Sequence, residues 1–164
     1  MLKNPILTIA FSGALACAVT AFAAGPSDSS RSDAVFLAMA AEVDMTVAHM
    51  GQMAETNASA SEVKNLAKTL VQDHTSDYER VYVLGAKLGD KIPKAIDRHD
   101  QQTFARLRHV EGKSFDRMFL SQQSTEHEKL INAFKREAEH GTNPEIKDYA
   151  SRTLPTIEQH LHDA

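Results

Sequence analysis

The sequence predicts an all-α chain built as an antiparallel four-helix bundle with a short additional helix between the second and fourth helices. Three observations carry this. Gly and aromatic residues are few, no Trp occurs, and Ala, Leu, Glu, Lys and Gln are plentiful, a composition of good helix formers. Apolar residues recur at helical spacing over long windows, and no stretch alternates as a strand would. The breaks between windows are short and carry Gly, Asn or Pro. At 164 residues one domain is the default, with enough chain to bury a real core.

The chain opens with Lys3, an apolar run from Ile6 to Val19 and the small-x-small pattern Ala21-Phe22-Ala23. This reads as an export signal over residues 1–23 and predicts a periplasmic mature protein with no membrane span after cleavage. An uncleaved anchor is the alternative, since the run is about long enough to cross a bilayer. Cys17 falls inside the signal, so the mature chain has no cysteine, and Ala14-Leu15-Ala16-Cys17 departs from a lipidation site at its first position. Removing Lys3 leaves 17 basic against 22 acidic residues, a net charge of −5. That acidity, with no basic stripe, speaks against nucleic acid as a partner.

Residues 24–31 read as a flexible polar linker, and residues 32–164 as the helical domain. Ser32 is the expected N-cap of a first helix running to about Thr56, its buried side given by Val35, Met39, Val43, Thr46, Met50, Met53 and Ala54. Ser59 and Glu62 have capping-box spacing for a second helix that ends before Gly89. A short third helix spans roughly Asp97 to Val110, and Gly112 separates it from a fourth running to His140. Asn143-Pro144 supplies a cap and a first helical position for the last helix, in which Pro155 predicts a kink.

Histidines stand out on these faces. With ~100° per residue, Val63, Leu66, Leu70, Val71, Tyr78 and Val81 all lie within roughly 80° of His74, which therefore sits on an apolar stripe. His127 repeats this on the fourth helix, with Asp116, Gln123, Leu130 and Phe134 on its side. Counting from the turn near Ala58 puts Glu42 and His74 at matching height, and counting from Thr142 brings His127 and His160 within about one helical turn, roughly 5 Å. A metal site of Glu42, His74, His127 and His160, supported by His49 and Asp116, is one reading, with iron, copper or zinc as the cofactor. The other is a hydrogen-bond network, His74 with Glu42 and His127 with Asp116, that fixes helix register. Met39, Met45, His49, Met50 and Met53 offer a soft set that suits copper, although methionines at helical spacing are more often core filler. His99, His109 and His162 read as solvated surface.

Enzyme signatures are missing from the sequence. Glu137-Ala138-Glu139-His140 has the Glu-x-x-His spacing of di-iron bundles, but at a helix end and off the apolar face. No Gly-rich phosphate loop, Gly-x-Ser-x-Gly turn or paired zinc-protease histidines occur, so catalysis is not indicated.

The segments Val63 to His74, Phe115 to Phe119, Glu126-His127-Glu128 and Thr153 to Leu161, with Ala40-Ala41-Glu42-Val43-Asp44 before them, resemble the bacterial domain of unknown function 4142 family. The resemblance spans nearly the whole mature chain and implies an exported, ferritin-like helical bundle of unestablished activity. The positions matching its motifs are Glu42, Asp73, His74, Phe115, Asp116, His127, Pro155 and His160. The resulting expectation is a non-enzymatic binding module of envelope or stress physiology with a periplasmic protein partner, or alternatively a metal-binding protein.

Overall fold

The computed structural model describes residues 28–164, so the expected signal and its Cys17 lie outside the described residues. Five helices follow in order: α1 (Asp28–Asn57), α2 (Ser61–Leu88), α3 (Arg98–Leu107), α4 (Gly112–His140) and α5 (Pro144–Asp163). No strand occurs among the described residues. α1 packs along α2 and α4 along α5, while α1 also meets α4 and α2 meets α5. The four long helices thus contact one another in a ring.

Local chemistry explains most boundaries. Gly89 ends α2 in the left-handed region at φ 80°, and the Asp90 N–H donates to the Gly85 carbonyl at 2.8 Å, closing the helix end. Asn143 caps α5 as the sequence predicts, accepting from the N–H groups of Glu145 and Ile146 at 2.9 and 3.3 Å. α5 runs on through Pro155. Gly51 lets α1 approach α2 closely, because a Cβ there would stand 2.6 Å from Val71 Cγ2 and 2.9 Å from the Ala67 carbonyl oxygen.

Two boundaries differ from expectation. α1 begins at Asp28 rather than Ser32, inside the stretch read as linker. The expected Ser59 capping box does not form: Ala60 occupies the cap position without a side-chain bond, and Ser59 turns instead to Asp116 on α4. The Ser59 N–H and hydroxyl donate to Asp116 at 2.8 and 2.5 Å, and the Ala60 N–H donates to it at 3.2 Å. At the opposite end, Asp33 on α1 accepts from Thr142 N–H at 3.1 Å, its hydroxyl at 2.6 Å and Asn143 N–H at 2.7 Å. Each helical hairpin therefore has its turn clamped by a carboxylate from the other.

The buried side of α1 extends beyond the one expected. Thr46, Met50 and Ala54 are buried as the periodicity predicts, but Val35 is 63% exposed, and Phe36, Leu37, Ala40, Ala41 and Val47 are buried as well. α1 is covered by both α2 and α4, so its buried arc is wider than a single-partner stripe. The apolar interior forms two clusters. One gathers Leu37, Ala41, Val81, Leu130, Phe134 and Ile157; the other gathers Val47, Leu70, Phe104, Phe115 and Phe119. Asp44 lies between Ala41 and Val47, His74 between Leu70 and Val81, and His127 between Phe119 and Leu130. A polar layer thus divides the core.

Candidate metal centre

Each residue of the layer has apolar neighbours one helical turn away, Leu70 and Val71 for His74, Leu130 and Ile131 for His127 and Ile157 for His160, so the helix faces that bury those neighbours bury the polar residues too. His74 from α2, His127 from α4 and His160 from α5 are 4%, 0% and 4% exposed. Their ring centroids form a nearly equilateral triangle, 5.3 Å for His74–His127, 5.3 Å for His74–His160 and 5.4 Å for His127–His160. One nitrogen from each ring lies within 4.8 Å of the others.

Each ring has its far nitrogen tied to an oxygen. His74 Nδ1 lies 2.8 Å from Asp44 Oδ1, His127 Nδ1 is 2.8 Å from the Gln123 carbonyl oxygen, and His160 Nε2 is 2.9 Å from Asp73 Oδ2. Metal-bound histidines are held in this way, the outer bond fixing tautomer and ring orientation. A carbonyl can only accept, so neutral His127 carries its proton on Nδ1 and turns a lone pair inward from Nε2. His160 Nδ1 is buried and has no hydrogen-bond partner. His74 Nε2 stands 3.3 Å from His127 Nε2. A tetrahedral ion with bonds of about 2.0–2.1 Å sets its nitrogens roughly 3.3 Å apart, so this pair already has the required spacing.

Electrostatics keep the rings neutral. Burial pushes His74 down to about 4 against the pull of Asp77 and Asp73. Burial, with His74 close by, likewise pushes His127 to about 4, and burial lowers His160 while its bond to Asp73 opposes the shift. Neutral imidazole is the ligating form. Beside them burial, reinforced by Asp77, raises Asp44 well above the carboxylate range, and burial raises Asp77 despite its hydrogen bond from Tyr149. When Asp44 holds its proton it can donate to His74 Nδ1, and His74 Nε2–H can then donate to His127. Were a cation held in that gap, His74 would keep its proton on Nδ1 and Asp44 would accept it as a carboxylate.

The residues singled out in the sequence part company here. His74, His127 and His160 converge, but Glu42 does not stand with them: two residues turn a helix by about 200°, so Asp44 rather than Glu42 meets His74. Glu42 is half-buried, and burial together with Asp97 and Asp100 raises it. Asp116 serves the α1–α2 turn instead of His127. His49 is exposed and packs its ring 4.7 Å from Phe104. Met50 is core, with Gln123 Nε2 3.8 Å from its sulfur, and Met39 and Met53 pack partly buried against the apolar clusters. His99, His109 and His162 are exposed, as read from the sequence.

Asp44 is the partner that sequence reasoning missed. Its signal was present: Ala40, Ala41, Val47 and Ala48 stand three and four residues away on both sides, which sets Asp44 on an apolar face.

Comparisons with known proteins agree with this architecture. Among curated proteins none matches the chain. Among solved structures it is similar to a DUF305 protein from Streptomyces coelicolor, described as secreted, with a TM-score of 0.67 and 15% identity over 80% of this chain and 86% of that one. It is also similar to CopM in its Cu(I)-bound form, with a TM-score of 0.65 and 18% identity over 79% and 90% of the two chains. The Cu(II)-bound form gives a TM-score of 0.57 and 18% identity over 80% and 96%. At these identities the likeness is one of fold. The model of the family described as a domain of unknown function (DUF4142) matches residues 18–164, and the chain belongs to that family.

Proposed function

We propose that the protein is an exported metal-binding module that holds one zinc or copper ion in the three-histidine layer of an antiparallel four-helix bundle of the ferritin-like kind. The carrying observation is the wiring of the rings: three buried imidazoles converge while each outer nitrogen is anchored on Asp44, the Gln123 carbonyl or Asp73. An all-nitrogen set suits zinc or copper, whereas a non-haem iron site adds a carboxylate to its first sphere. That CopM binds copper supports weighing copper beside zinc. The ring of contacts among the four long helices supports the bundle. The small-x-small site after the apolar N-terminal run supports export to the periplasm, as does the secreted DUF305 neighbour.

The test is metal analysis of the chain purified from the periplasm without an affinity tag. One equivalent of zinc or copper is expected, with loss of the ion in His127→Ala. No stoichiometric metal, together with no change in melting temperature on adding zinc, copper or iron, would leave the layer as a structural hydrogen-bond network.

A further inference from the structure

A cavity of about 260 Å³ opens between α2 and α5 and has His74 and His160 in its wall. Three carboxylates also line it, those of Asp44, Asp73 and Asp77. They are graded in depth: the Asp73 side chain is 40% exposed, that of Asp77 9% and that of Asp44 3%. Three atoms along this wall are buried without a hydrogen-bond partner, namely Asp44 Oδ2, Asp77 Oδ1 and His160 Nδ1. Buried acceptors are rarely left in that state without a ligand or solvent to satisfy them. The two guanidiniums of the cavity do not fill the need. Arg80 stands 3.7 Å from Asp77 Oδ1, beyond hydrogen-bond reach, and Arg152 is paired at 2.8 Å with Asp148.

We propose that this cavity is the route by which a hydrated divalent cation reaches and leaves the three-histidine centre, with Asp77 taking the ion from Asp73 at the mouth toward His160 Nδ1 inside. The inference rests on the metal reading above and adds the path and its positioning residue. An ion that sheds water needs replacement oxygens at each step, and the unpartnered carboxylate oxygens supply them. The cavity has room for an ion with several of its waters. Imidazole then holds zinc or copper better than carboxylate does, which draws the ion inward.

The test is stopped-flow zinc transfer between the full mature chain and a chromophoric chelator, in wild type, Asp77→Asn and Thr153→Phe. Asp77→Asn keeps an acceptor for the Tyr149 hydroxyl, and Thr153→Phe narrows the cavity wall at a position that supplies no ligand atom. Thr153→Phe is expected to slow uptake and release together, by about fivefold or more, with Kd changed less than about twofold, and Asp77→Asn to slow uptake by a similar factor. Thermal melts that match wild type establish that each variant is folded. Unchanged rates in both variants would overturn the route. So would a faster release with unchanged uptake, which would make Asp77 a support of the centre itself. If wild type takes up no zinc at all, the three-histidine centre fails and the route falls with it.

Discussion

Four buried aspartates divide into two kinds. Asp33 and Asp116, at the two ends of the molecule, each take three hydrogen bonds from the backbone and hydroxyl of a turn, and both are held below the usual carboxylate range. For Asp116 the Ser59 hydroxyl is the main cause; for Asp33 burial pushes upward but is outweighed by donors from Thr142 and Asn143. Asp44 and Asp77, at mid-height, are each left with an unpartnered oxygen and are pushed upward by burial. One residue type thus does opposite things according to whether its surroundings satisfy it. The satisfied pair closes the fold, and the unsatisfied pair surrounds the histidines, where electrostatic need is characteristic of a site.

The contrast can be pressed experimentally, beginning with the largest effect. Zinc at a thousandfold excess over Kd should stabilise wild type by about 4 kcal/mol in thermal melts, and His127→Ala should remove that gain. If instead both proteins shift alike, the histidines are not the site. Next, the histidines of the metal-free protein should contribute less stability as pH falls. His74 and His127 sit near 4 when folded and near 6.5 when unfolded, so between these values the unfolded chain binds more protons. Their contribution is fully present above 6.5 and lost as pH falls toward 4, about 3 kcal/mol for one such histidine, with the touching pair less than additive. Asp44 and Asp77 run the other way, favouring the fold below the unfolded value of 3.8 and losing that contribution as pH rises through their raised folded values. Urea titrations across pH 4 to 8 check this.

Mutation of the two kinds should give opposite signs. Asp33→Ala strands the Thr142 and Asn143 N–H groups and should cost about 2–3 kcal/mol in urea denaturation. Asp44→Asn removes a carboxyl that burial disfavours in its charged form and should stabilise the metal-free protein by about 1 kcal/mol near neutral pH. The same change should weaken zinc binding by about 10- to 100-fold, because it loosens the hold on His74 Nδ1. Equal destabilisation by both substitutions would erase the distinction between the two kinds of aspartate.

The helices and the inward histidines were legible because each depends on local spacing alone. His74, His127 and His160 follow from facing and from depth counted along a hairpin, quantities fixed by helix geometry. Their convergence was not legible, because the path from Gly89 to Gly112 decides how one hairpin meets the other. The same limit hid the partners. Ser59 with Glu62 looks like a capping box, yet Ser59 is taken by Asp116, a residue 57 positions away. Glu42 rather than Asp44 was paired with His74 because equal height along a hairpin does not specify rotation about the helix axis. That rotation is set by α1 being covered from two sides, by α2 and by α4, and Val35 on the surface shows the same offset.

The crossed clamps at Asp33 and Asp116 bear on when the centre comes into being. One hairpin supplies His74, and the other supplies His127 and His160, so neither half alone owns a complete ligand set. The clamps join residues 109 and 57 positions apart, contacts that close late because long loops must first be drawn together. Were the layer to hold an ion as proposed, a single hairpin would offer it only one or two of the three rings. Binding through all three rings would then report completed docking of the two halves.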